Sequence, residues 1–196
     1  MSSQTITYET LLRVPAVALA REAIHHGRLG RRLAVYATVR TAQCQATDLA
    51  SLSQPLLALI IDALQEQPVA VTAAATAMRP ETPAWVLIIR FASGLVATLD
   101  IGALLPPGFP VDPEIRLEFL GTDEAVLIEP DALSVRVYSG QMVKQVRCAV
   151  PSESYLGQDP GPPPVPGRPD AERLAKRVVE AALQAIASAQ PVRLSL

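Results

Sequence analysis

Residues 84–103 read AWVLIIRFASGLVATLDIGA, and this stretch decides the fold. Two runs of β-branched, aromatic and aliphatic residues flank the turn-forming pair Ser93-Gly94, which is the pattern of two strands joined by a tight turn. Working outward, residues 68–78, 114–120, 125–128, 133–138 and 142–150 have the same strand composition. Pro106-Pro107-Gly108, Gly121, Pro130-Asp131 and Ser139-Gly140 punctuate them, so consecutive antiparallel hairpins are expected. Before this block, residues 15–26 place Val17, Ala20 and Ile24 at helical spacing, and residues 32–43 read as a strand. Residues 55–65 are apolar nearly all round and broken only by Asp62, as in a buried helix that starts at Pro55. After the block, Asp170 is a candidate N-cap for a helix carrying Leu174, Val178, Ala182 and Ile186, and residues 191–196 alternate like a last strand. Strands massed between helices, without β-α-β alternation, predict an α+β fold: one open, largely antiparallel β-sheet with helices packed on one face. A single domain is expected over residues 1–196, with an N-terminal tail at 1–10. Residues 151–169, with six prolines between Asp159 and Asp170, form an extended connector within it.

Composition narrows the function. With 196 residues, 49% of them apolar and a mean hydropathy of +0.26, the chain can bury one sizeable core. The 17 basic and 19 acidic residues are scattered without runs, which excludes a nucleic-acid footprint. The apolar stretch 55–61 falls short of the ~20 residues of a membrane span, and residues 1–9 carry no export signal, so a cytoplasmic location is expected. Cys44 and Cys148 lack a C-x-x-C pairing and read as reduced structural thiols. His25 and His26 point about 100° apart on a helix; they suit its C-terminal end and do not converge on a metal. Gly27-Arg28-Leu29-Gly30 lies at a helix end instead of a strand-to-helix turn, so no dinucleotide-binding turn is encoded and no cofactor is expected.

The hairpin carries a second inference. Both alternating faces of residues 85–91 and 96–99 are apolar, although a sheet covered on one side should show a polar outer face. A homo-oligomer packed through the open sheet face is therefore expected. Trp85, Leu87, Ile88, Ile89, Arg90, Val96 and Thr98 are its interface candidates, with whichever of Leu87 and Ile88 faces outward central to it. Arg40, Arg90 and Arg116 read as partners of acidic neighbours such as Glu118 or Asp100, or as contacts across that interface.

Three segments, in order, resemble the substrate domain of the glucose-fructose oxidoreductase, inositol dehydrogenase and MocA (Gfo/Idh/MocA) family. Residues 13–30 are similar to that family's helix ending in G-x-L-G. Gln67-Pro68-Val69, residues 91–100 and residues 117–125 are similar to its "P-V", "F-x-N-G-x-x-x-T-x-D" and "G-T-x-G" hairpins, and residues 177–194 to its closing helix and strand. The resemblance spans about residues 11–196. It implies a binding and oligomerisation domain, here without the family's nucleotide-binding Rossmann domain. It also implies lost chemistry: Pro55 and Ala58 fall where the family carries the His and Asp of an H-x-x-D pair, and neither can move a proton.

Three readings follow. In the first, the chain is a non-catalytic, homo-oligomeric binding or scaffold protein. In the second it is one subunit of a split NAD(P)-dependent oxidoreductase acting on a sugar or polyol, its cofactor held by a separate Rossmann-domain partner. In the third, a cleft between the 55–65 helix and the sheet holds a small polyol or sugar phosphate, with Asp48, Gln54 and Arg40 as pocket candidates.

Overall fold

The computed structural model describes residues 6–77, 82–129, 134–140, 142–147 and 166–194. The chain opens with α1 (Tyr8–Leu12), where Thr7 and Thr10 form a reciprocal capping box, so the expected tail at 1–10 is in part a helix. Then follow α2 (Pro15–His25), β1 (Arg32–Arg40) and α3 (Asp48–Leu64). The strands β2 (Pro68–Ala77), β3 (Pro83–Phe91), β4 (Val96–Gly102), β5 (Glu114–Gly121), β6 (Glu124–Glu129), β7 (Ser134–Ser139) and β8 (Met142–Arg147) come next, and α4 (Ala171–Ser188) and β9 (Val192–Arg193) close the chain.

The strands form one nine-stranded sheet in the order β8-β7-β6-β5-β1-β4-β3-β2-β9, all antiparallel except for the central β1–β4 pair. This is the expected α+β class. Two consecutive meanders, β2-β3-β4 and β5-β6-β7-β8, each pair as hairpins, but β4 and β5 are not neighbours: β1 lies between them. Its register with β4 (Tyr36 opposite Thr98) is parallel because α3 and the first meander intervene in the chain.

The helices cover one face. α3 packs on β1 and β4, α2 on β6 and β7, and α4 on β2, β9 and α3. α3 starts seven residues before the expected Pro55, which lies in its interior, and the Ser53 hydroxyl donates to the Ala50 carbonyl one turn earlier. Every residue from Pro55 to Leu64 is buried. No helix among the described residues is long and apolar enough to cross a membrane.

One polar cluster sits inside this layer, at the C-terminal end of α3. Asp62 is fully buried and its carboxylate lies 2.6 Å from Nε of Arg21, itself 4% exposed. The Arg168 backbone N–H donates to Asp62 Oδ1 at 2.7 Å, and Arg168 Nη1 donates to the Glu66 carbonyl at 3.0 Å. Arg21 also donates to the Pro166 carbonyl at 3.2 Å, so the segment leading into α4 is tied to both α2 and α3. Asp170 stands at the N-cap of α4, but its carboxylate takes the Arg168 guanidinium instead of capping backbone N–H groups, and that bond holds it below the usual carboxylate range.

The Tyr8 hydroxyl faces the same cluster. Burial, and after it the Asp62 charge, holds its pKa above the ordinary value of 10. A proton bound more tightly in the folded state stabilises the fold fully below pH 10, and this contribution is lost as the pH rises beyond that value. Urea unfolding followed above pH 10 should therefore show a steeper loss of stability for the wild type than for Tyr8→Phe. Parallel slopes would remove the linkage.

Candidate functional interface

Strand β3 decides which face is which. Its burial alternates strictly over its second half: Leu87 and Ile89 are 0% and 1% exposed beneath the helices, whereas Val86 and Ile88 are 39% and 44% exposed on the other side. Trp85 is buried as well. Trp85, Leu87 and Ile89 are therefore core residues and are corrected out of the interface set: the helix layer claims every second side chain of this strand. Ile88, Arg90, Val96 and Thr98 do lie together on the uncovered face, joined by Tyr36, Thr72 and Val86.

Cross-strand register arranges this face in rows. Thr72, Ile88, Thr98, Tyr36 and Glu118 form one row across β2, β3, β4, β1 and β5. The row on one side holds Ala70, Arg90, Val96, Ala34 and Leu120; that on the other holds Ala74, Val86, Asp100, Thr38 and Arg116. Tyr36 is 49% exposed, and removing such apolar area from water is worth about 25 cal/mol per Å². The expected arginine pairings are found for Arg40 with Glu114 at 3.9 Å and Arg116 with Glu118 at 2.7 Å. Arg90 is in no ion pair among the described residues.

The remaining candidates do not converge. Asp48 accepts from the Gln45 backbone N–H at 2.8 Å in the first turn of α3, Arg40 pairs on the open face, and no polar contact among the described residues links either of them to Gln54. Pro55 and Ala58 are buried in the middle of α3, in contact with core and not with a cleft, so the polyol cleft expected between this helix and the sheet is filled by its side chains. His26 Nδ1 donates to the Glu22 carbonyl of its own helix at 2.9 Å, and His25 Nε2 lies 3.3 Å from the Asp62 carbonyl, both at the C-terminal end of α2. Cys44 is half-buried, and burial raises its thiol pKa, which disfavours the nucleophilic thiolate. Cys148 and most of the 151–169 connector lie outside the described residues. A hollow of about 280 Å³ that sequence reasoning missed opens between α2 and β7–β8; Leu19, Ala23, Val135 and Val137 line its base, and none of the expected pocket residues reaches it.

No protein-family model matches the chain, and no curated protein matches its sequence. Solved structures do share its fold, and they are oxidoreductases. An NAD binding oxidoreductase from Klebsiella pneumoniae superposes with a TM-score of 0.74 at 13% identity, over 96% of this chain and 65% of that one. An oxidoreductase from Thermotoga maritima gives 0.73 at 15% identity, over 93% and 62%. Levoglucosan dehydrogenase in complex with NADH and levoglucosan gives 0.69 at 19% identity, over 97% and 66%. This chain thus spans less than two thirds of the length of each. At these identities the likeness is one of fold alone.

Proposed function

We propose that the chain is a substrate-domain module of the dehydrogenase type, cytoplasmic, that self-associates through its open sheet face and carries out no hydride transfer by itself. The observation that supports this reading is the uncovered face: Val86 and Ile88 of β3 and Tyr36 of β1 stand exposed on it, with Thr98 of β4 between Ile88 and Tyr36, which a solitary sheet does not favour. Apolar, buried Pro55 and Ala58 at the positions of the family's proton-transferring pair support the non-catalytic half of it. Light scattering on the purified protein should give a dimer or larger species. Ile88→Asp, which sets a charge at the centre of the face, should weaken association by roughly two orders of magnitude with the fold intact. A monomeric wild type, or a variant that assembles unchanged, refutes the assignment. Titration with NADH should show no micromolar binding.

A second reading is favoured by the NADH named for a structural neighbour. In it the chain is one subunit of a split NAD(P)-dependent oxidoreductase for a sugar or polyol, with a separate nucleotide-binding partner. Co-purification of such a partner, together with sugar-dependent NAD(P)H turnover by the pair and not by this chain alone, selects this reading over the first.

A further inference from the structure

Resting on the self-association reading, we infer that two copies of this chain pack face to face about a two-fold axis running across the strands along the Ile88–Thr98–Tyr36 row, so that Arg90 of each copy pairs with the partner's Asp100.

The open face is divided in its chemistry. Over β1, β5, β6 and β7 its charges are satisfied within the chain, as Arg40–Glu114, Arg116–Glu118 and Arg136–Glu129. Over β2, β3 and β4 the outward residues Thr72, Ala74, Val86, Ile88, Val96 and Thr98 are uncharged, and the two exceptions are Arg90 and Asp100. Among the described residues neither belongs to an ion pair. Covering this half leaves two opposite charges that must find each other, because an unpaired charge taken out of water costs several kcal/mol.

Symmetry then restricts the solution. Arg90 lies one same-face position from the central row and Asp100 one position on its other side, about 7 Å each way. A two-fold lying in the interface along that row turns the face over and reverses direction along the strands, carrying the Arg90 row onto the Asp100 row. Arg90 then stands over the partner's Val86, one strand spacing of about 4.8 Å from the partner's Asp100, within guanidinium reach across sheets about 10 Å apart. A two-fold parallel to the strands instead keeps each row over its own equivalent and leaves both charges unpaired. The chosen axis also meets Ile88 with Ile88 and Tyr36 with Tyr36; at the end of the row each Glu118, held by Arg116 of its own chain at 2.7 Å, meets its equivalent, while the Arg136–Glu129 pair lies farther out. Six strands of about seven residues give a face on the order of 650 Å² in plane, close to the ~800 Å² per partner of a standard interface.

Charge reversal tests the pairing, read by sedimentation velocity over a dilution series with circular dichroism confirming the fold. Arg90→Asp and Asp100→Arg should each weaken association about tenfold or more, and the double variant should return to within about threefold of wild type. As a second readout, Thr98→Cys in a Cys44→Ser, Cys148→Ser background lies on the axis and should give a covalent dimer with a short bismaleimide. Single reversals without effect, or a double variant no tighter than the weaker single, overturn this axis while a dimeric wild type keeps the self-association reading. A wild type that is monomeric at tens of micromolar, as for a face that serves a different protein, overturns both.

Discussion

Asp62→Ala should lower the unfolding free energy by about 3 to 5 kcal/mol, the largest loss expected from any single side chain here. The carboxylate is fully buried, 2.6 Å from the Arg21 guanidinium, and takes the Arg168 N–H at 2.7 Å. Its removal strands a cation that is 4% exposed and leaves a backbone donor without its acceptor. The ion pair itself contributes little net stability, because desolvating both partners offsets most of their attraction. Pairing Asp62→Leu with Arg21→Met should therefore recover a large part of the loss, short of the share owed to the Arg168 amide. Urea denaturation with an unchanged m-value checks both variants. A loss under about 1 kcal/mol for Asp62→Ala would show that water reaches the cluster.

Gly121→Ala should cost about 3 kcal/mol, well above the usual figure for adding one methyl group. Gly121 pairs with Arg32 where the β1–β5 register shifts, and a Cβ there would lie 2.7 Å from the Leu29 carbonyl carbon and closer still to its oxygen. Backbone meets it, so no side-chain rotation relieves the clash. The turn it would displace is held by Asp123 N–H to the Leu29 carbonyl at 3.1 Å and Thr122 N–H to the Arg31 carbonyl at 3.0 Å. Gly94→Ala is the informative control: its φ of +89° strains an alanine by about 1 kcal/mol, but nothing lies within 4 Å of the added carbon. Thermal melts should rank Gly121→Ala well below Gly94→Ala, and the reverse order would remove the steric account.

Strand and helix positions were legible because turn residues punctuate runs of strongly contrasting composition. Which face of β3 looks outward was not: Trp85 to Ile89 is apolar on both sides, and only the helices, packed from elsewhere in the chain, decide that Leu87 goes in and Ile88 out. Pro55 suggested a helix start because proline suits a first turn. The helix begins at Asp48 because Ser51 and Gln54 serve a more exposed flank that lacks the apolar signal of the half that follows. α1 is five residues long, too short to show a period, and the hydroxyl of its buried Tyr8 lies against Gly167, far along the chain. The partners of Asp62 come from residues 21 and 168, a constellation no local pattern encodes. Of the interface, composition found the strand, and register found the rows.

The central place of β1 governs how the sheet can be assembled. Both meanders form from neighbours in the chain and can zip early, yet each then ends at an unpaired edge, β4 on one side and β5 on the other. Only β1, made before either of them, fits that gap, and it closes contacts some sixty to ninety residues apart. It acts as a keystone: until it is seated the protein is two half-sheets with adhesive edges, and this interval is where aggregation competes with folding.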